Sequence, residues 1–283
     1  MTTQPSGPDF SAPGFESCYR HPDRQTGIAC QRCGRPICGE CMNPASVGFQ
    51  CPRCVGAGRA RVREPRTRFG ARVTSGGGSA TRVVMVALAV VYVLGFATQG
   101  LLTGLLLMDS PSVAQGELWR LVTSGFVSGG LLGLLMNLLV LYLAGRAIES
   151  EVGPARFVAL YLTAALGGST LFYLLAPGPG ATIGGASAVV GLLAANAVGK
   201  RKNGEDVRGD VGLFVVLVLY SLLLGFASFG WLTMLGGIVV GALAGVVLAY
   251  APRNNRGAVQ TVGLLALALV CLVAVVVPTF VGG

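Results

Sequence analysis

Met234-Leu-Gly-Gly-Ile-Val-Val-Gly241-Ala-Leu-Ala-Gly245 places glycine at 237, 241 and 245, inside a run from 231 to 250 without a charged side chain. Residues four apart share one face of a helix, and small side chains on that face let two membrane helices bring their backbones together. The stretch reads as a bilayer helix built for close packing, with Gly184, Ala188 and Gly191 as its natural counterpart earlier in the chain.

The rest of the chain agrees with that reading. At 283 residues, 53% hydrophobic and 12% charged, it is too apolar for a water-soluble domain. A bilayer core of about 30 Å takes about 20 apolar residues per helix. Seven segments fit, at 83–107, 131–148, 157–176, 181–199, 211–228, 231–250 and 258–280. The expected fold class is an all-α polytopic membrane protein. No apolar run in residues 1–82 is long enough for a signal peptide.

Charge sets the expected orientation. With the N-terminal tail in the cytoplasm, 12 of the 21 Lys and Arg lie in residues up to Arg82, and eight more lie at Arg146, Arg156, Lys200, Arg201, Lys202, Arg208, Arg253 and Arg256. Only Arg120 falls outside. This is the positive-inside bias, so the N-terminus is expected inside and the C-terminus outside a bacterial-type plasma membrane.

The tail is expected to bind metal. Seven of its cysteines and the chain's single histidine form four pairs of one spacing: Cys18/His21, Cys30/Cys33, Cys38/Cys41 and Cys51/Cys54. Two intervening residues let a tight knuckle present both side chains to one tetrahedral ion, so eight ligands imply two structural zinc ions. A reducing cytoplasm disfavours the alternative, a set of disulfides. Spacing alone leaves the pairing of the knuckles open. So short a segment with few large apolar residues cannot build a sufficient core, and metal is expected to supply its folding energy.

The expected domains are a disordered tail at 1–14, the zinc module at 15–58, a basic flexible linker at 59–82, the membrane core at 83–250 and a further helix at 251–283. The linker carries Arg59, Arg61, Arg63, Arg66, Arg68, Arg72 and Arg82. These are expected to hold anionic lipid headgroups. Nucleic acid is not an expected partner, because no aromatic side chains are interleaved for base stacking.

Four motifs, in order, make residues 83–250 resemble the rhomboid family of intramembrane serine proteases. Glu117-Leu-Trp119-Arg120 resembles the family's W-R loop, although Trp at an interface also reads plainly as a headgroup anchor. Phe126-Val-Ser-Gly-Gly-Leu-Leu-Gly-Leu-Leu-Met-Asn137 is similar to F-x-H-G-G-x-x-H-x-x-x-N. Gly145-Arg-Ala-Ile-Glu149-Ser-Glu-Val-Gly153 matches G-x-x-x-E-x-x-x-G in full. Thr182-Ile-Gly-Gly-Ala-Ser-Ala-Val-Val-Gly191 and Met234-Leu-Gly-Gly-Ile-Val-Val-Gly241 resemble T-x-G-A-S-G-A-x-F-G and H-L-G-G-x-x-x-G. The resemblance implies a six-helix core plus one extra C-terminal helix. The tail likewise resembles the B-box, whose cross-braced fold implies that the first and third pairs share one ion and the second and fourth the other.

The resemblance also names what is missing. A serine nucleophile needs a base within hydrogen-bond reach, and the family's histidine falls on Met234, whose thioether takes no proton. Aligned without gaps, the family serine falls on Ala186. Ser187 lies one residue later, about 100° around the helix, and becomes the counterpart if the register slips. Its plain reading is a small residue at a helix contact that bonds a backbone carbonyl. Ser128 and Gly133 stand at two further family histidines, while Asn137, an oxyanion-type donor, is present. Losing one oxyanion donor alone typically costs about 100-fold to 1,000-fold.

The expected function is therefore a pseudoprotease that binds transmembrane-helix clients without cutting them, as the iRhoms and derlins do. The alternative is an active serine protease using Ser187 with a base other than histidine. Asp109 and Glu117 are the only acids on the outer side, and both precede the helices that would form its site.

Overall fold

The computed structural model describes residues 14–61, 67, 78–225, 229–252 and 254–281; the tail at 1–13 and most of the 59–82 linker lie outside the described residues. The chain divides into two compact units, Met1–Glu64 and Pro65–Gly283.

In the first unit, β1 (Glu16–Ser17) pairs antiparallel with β2 (Gln25–Thr26), and β3 (Asn43–Pro44) with β4 (Phe49–Gln50), before α1 (Pro52–Arg61). Its buried apolar cluster contains Cys18, Cys30, Cys38, Cys41 and Cys51, with Ile37 the one ordinary hydrophobe fully inside. A core of this composition cannot hold a fold by apolar burial alone.

The second unit is mostly helical. It contains α2 (Ser79–Ala97), α3 (Leu101–Leu106), β5 (Met108–Asp109), α4 (Ser110–Ala114), α5 (Arg120–Thr123) and α6 (Gly130–Val140). A wider π turn at Leu141–Gly145 joins α6 to α7 (Arg146–Val152). Then follow α8 (Pro154–Leu175), β6 (Ala181–Thr182), α9 (Gly185–Lys202), α10 (Arg208–Gly225), α11 (Gly230–Tyr250) and α12 (Arg256–Val281). Among the described residues, five helices are long and apolar enough to cross a membrane: Ser79–Ala97, Gly130–Val152, Pro154–Leu175, Gly230–Tyr250 and Arg256–Thr279. Helix α9 ends in Lys200, Arg201 and Lys202, which keeps it out of that set.

The segment expected as a helix at 181–199 begins as β6 and turns helical only at Gly185, and a second boundary differs more. The segment expected to run unbroken from 83 to 107 stops at Ala97 and resumes at Leu101. Gln99 and Gly100 both adopt positive φ, 52° and 88°, which no right-handed helix accommodates.

The centre of the unit is a seam where α11 meets α8 and α9 backbone to backbone. A side chain added at Gly237 would collide with the carbonyl of Ser187, one at Gly241 with that of Gly191, and one at Gly236 with that of Gly167. At Gly245 it would sit 2.7 Å from the Cα of Ala195. Glycine is required here because the space of a methyl group is already filled by the neighbouring main chain.

The Gly145–Glu149–Gly153 motif fixes the start of α2. Gly78 precedes that helix and has no side chain with which to cap it. Glu149 substitutes: one oxygen accepts from Ala80 N (3.0 Å) and Ser79 Oγ (3.2 Å), the other from Thr81 N and Thr81 Oγ1 (2.7 Å each). A carboxylate at a helix N-terminus also meets the positive end of the dipole. Gly145 leaves room for Thr81, whose methyl would lie 2.6 Å from an added Cβ. Gly153, at φ 88°, turns the chain from α7 into α8.

Candidate functional site

The helix-loop elements on the side opposite that cap gather the residues aligned with a catalytic site. A short ladder sets the approach to α9: Met108 pairs with Thr182 and Asp109 with Ala181. Gly184 N then donates to the carbonyl of Ser124 (2.9 Å) and Gly185 N to that of Val127 (3.2 Å), which docks the lead-in of α9 on the loop before α6. Tyr161 and Ser169 of α8 brace that loop, through a bond from the Tyr161 hydroxyl to Gly125 O (2.7 Å) and a 2.9 Å contact between the Ser169 and Ser124 hydroxyls.

Within this frame Ser187 is 1% exposed, and its hydroxyl donates to Gly184 O at 2.7 Å. It lies against Gly168 of α8, with the carbonyl of Thr233 alongside. Ala186 is half-buried and packs on the apolar cluster that contains Met234 and Ala188. Met234 is 3% exposed. Asn137, 2% exposed, donates to the Ser128 hydroxyl at 3.4 Å. A Cβ on Gly185 would stand 3.1 Å from its amide nitrogen, so Asn137 adjoins the start of α9.

The chemistry available is limited. The Ser187 proton points at a carbonyl, which cannot remove it, and Met234, the residue of α11 expected in the place of a base, carries a thioether. The chain's one imidazole, His21, is in the other unit. Asp109 caps α4 through Ser112 N (3.1 Å) and Ser112 Oγ (2.7 Å), and Glu117 pairs with Arg120 (2.5 Å). Both acids are thus held by their own loop. Arg120 is 7% exposed and donates to Gly104 O (2.5 Å) and Leu107 O (3.1 Å), so it stitches the loop together while Trp119 faces outward.

The first unit holds a second candidate site, for metal. Cys18, His21, Cys38 and Cys41 form one group and Cys30, Cys33, Cys51 and Cys54 another, the ligand atoms of each lying within 4.8 Å of one another. His21 Nδ1 is 4.0, 3.3 and 3.5 Å from the sulfurs of Cys18, Cys38 and Cys41, and the Cys33 and Cys51 sulfurs are 3.8 Å apart. Four ligands about 2.3 Å from one tetrahedral ion stand about 3.8 Å from each other, so the spacings suit such an ion. The grouping joins first pair to third and second to fourth, the choice that spacing had left open.

The electrostatics favour a cation in both groups. Burial pushes the Cys18 thiol up, but backbone N–H groups of Arg20, Cys38 and His21 outweigh it and hold the thiol at about 6. Cys30 is likewise held at about 6 against burial, by N–H groups of Cys51, Arg32 and Cys33. Their neighbours respond in the opposite sense. Burial, then the Cys18 and Cys38 sulfurs, push Cys41 up to about 11, while Cys51 and then burial push Cys54 to about 12. A cation would relieve that repulsion between thiolates.

The match to a family model falls within the second unit. Residues 115–251 match the family model described as the rhomboid domain. The chain is 31% identical over 166 residues to Rhomboid protease GluP of Bacillus subtilis, covering 57% of this chain and 32% of that protein. It is 33% identical over 166 residues to RHOMBOID-like protein 4 of Arabidopsis thaliana, covering 53% and 41%. With Rhomboid protease GlpG of Salmonella paratyphi A it shares 27% over 198 residues, covering 69% and 70%. The chain therefore spans about a third of the GluP relative and about two fifths of RHOMBOID-like protein 4.

Proposed function

We propose, for a chain that carries a rhomboid domain at residues 115–251, a seven-span membrane protein with its N-terminus in the cytoplasm that binds transmembrane-helix clients without hydrolysing them. The carrying observation is Met234, buried at the position of the family base, while the Ser187 proton is bonded to the Gly184 carbonyl. With no base, the hydroxyl stays protonated, and attack on a peptide carbonyl lacks its main source of acceleration. Ala186, half-buried beside the Met234 cluster, fits the family serine's place better than the enclosed Ser187 does. The first unit is read as a B-box-like module at 15–58 holding two structural zinc ions through its eight ligands, with no open position for catalysis. The basic linker at 59–82 would lie against anionic headgroups.

The rival is a serine protease acting through Ser187, favoured by that residue's place against α11. A fluorophosphonate probe separates the two. The expected result is no labelling of the purified protein, whereas labelling lost in Ser187→Ala would establish the rival. Conversely, Ala186→Ser with Met234→His should restore probe reactivity, and a well-folded but unreactive double variant would count against the gapless alignment.

A further inference from the structure

The two candidate metal groups of the first unit present different atoms to solvent. In the first group Cys18, Cys38 and Cys41 are buried, and the half-buried His21 is the most exposed member. In the second group Cys30 and Cys51 are buried, Cys54 is half-buried and Cys33 is exposed. The first group therefore shows solvent an imidazole, which a mild oxidant leaves alone, and the second shows it a sulfur. Cysteine is oxidised where its thiolate is accessible, and the step is productive where a second thiol stands ready to resolve it. Cys51 Sγ lies 3.8 Å from Cys33 Sγ, so the exposed sulfur already has such a partner beside it.

The second group also carries an element of the fold. Cys51 directly precedes α1 and Cys54 lies in its first turn, while no residue of that helix is buried. A helix of 10 residues is marginal in water by itself. Helix α1 therefore depends on Cys51 and Cys54 being tied to Cys30 and Cys33 through a shared ion.

We propose that Cys33 is a site of oxidation by hydrogen peroxide, at which the second group gives up its ion and releases α1 while the first group keeps its own. The proposal rests on the two-zinc reading of the first unit and on nothing in the membrane unit. Cys33 Sγ attacks one oxygen of the peroxide and the O–O bond breaks, giving a sulfenic acid and hydroxide. Cys51 Sγ then attacks that sulfur, the S–S bond forms and a second hydroxide leaves. Two protons from solvent turn the hydroxides into water, so the two electrons given up by the sulfurs reduce one peroxide. The two sulfurs that stay as thiolates are too few to close a tetrahedral structural site.

The test uses the full chain in neutral detergent, loaded with zinc and treated with hydrogen peroxide beside a chromophoric zinc indicator. One ion per chain should be released at least about tenfold faster than the other. Peptide mapping by mass spectrometry should find a Cys33–Cys51 disulfide, and amide exchange should rise in α1 but not around Cys18 and Cys38. A thiol reductant with added zinc should reverse all three changes. Cys33→His gives the second group the donor set of the first, so it should keep both ions and slow the fast release about tenfold. If that variant holds one ion, the release rates and the disulfide map of the wild type decide by themselves. Release of both ions at one rate, first oxidation at Cys18, Cys38 or Cys41, or undiminished fast release from a two-ion Cys33→His would overturn the proposal. A chain that binds fewer than two zinc ions after loading would instead refute the module reading, and the proposal would fall with it.

Discussion

The two units solve the same problem, a stable shape, by opposite means. In the first, eight side chains suited to metal gather in two groups, five of them buried, and among the described residues almost nothing apolar accompanies them. In the second, the central contacts are made by glycines with nothing beyond a main chain to offer. A fold held by ligands depends on the chemistry of each key residue, whereas one held by backbone contact depends only on their size. On the proposed reading, this is how the second unit can keep its packing glycines while its reactive groups differ.

The largest expected effect tests the first half of that contrast. Stripping metal from the whole protein with a strong chelator should remove folding energy on the order of 10 kcal/mol per ion in the first unit. Thiol labelling would then rise from little reaction to modification of the seven clustered cysteines. Slow labelling after chelation would mean that the unit holds itself together. Next comes Glu149→Ala, which leaves the amides of Ala80 and Thr81 without an acceptor and should cost about 4 kcal/mol, read as a lower denaturant midpoint of the membrane unit. Glu149→Gln should lose less, since the amide oxygen can still serve one of the two N–H groups.

Gly241→Ala should cost about 2 kcal/mol, because its methyl group would have to part α11 from Gly191. Gly257→Ala, with open space around it, is the control and should be near neutral. Equal effects at the two glycines would show that helix propensity, not close approach, governs the seam. The smallest effect is expected from Ser187→Ala, about 1 kcal/mol for one hydroxyl bond to Gly184 O, with no change in client retention by co-purification.

How much of this was legible in the sequence depended on how local each signal was. Knuckle spacing named all eight members of the two groups that could hold a metal, since two residues of a pair are held by one turn. Which knuckles meet is a long-range fact, and spacing could not give it. Runs of apolar residues located the long helices, but the break at Gln99 was missed, because only the neighbouring Gly100 marks it. The acidic residue of the Gly145–Gly153 motif drew attention as a motif member. Its partners, Ser79 to Thr81, are some seventy residues away and offered no sign of their role. The same holds for the Met108–Thr182 ladder, two residues long and without a strand-like pattern at either end. At the candidate catalytic site, residue identity gave only the expectation that Met234 stands where a base would be, while the burial of Ser187 and the half-exposure of Ala186 needed coordinates.

The seam of α8, α9 and α11 has a consequence for how such a chain tolerates change. Any carbon added at 237 or 241 wedges it apart, because the neighbouring main chain already fills that space. What the seam constrains is bulk: it sets how large a residue can stand at 236, 237, 241 and 245 and is indifferent to chemistry elsewhere on the helices.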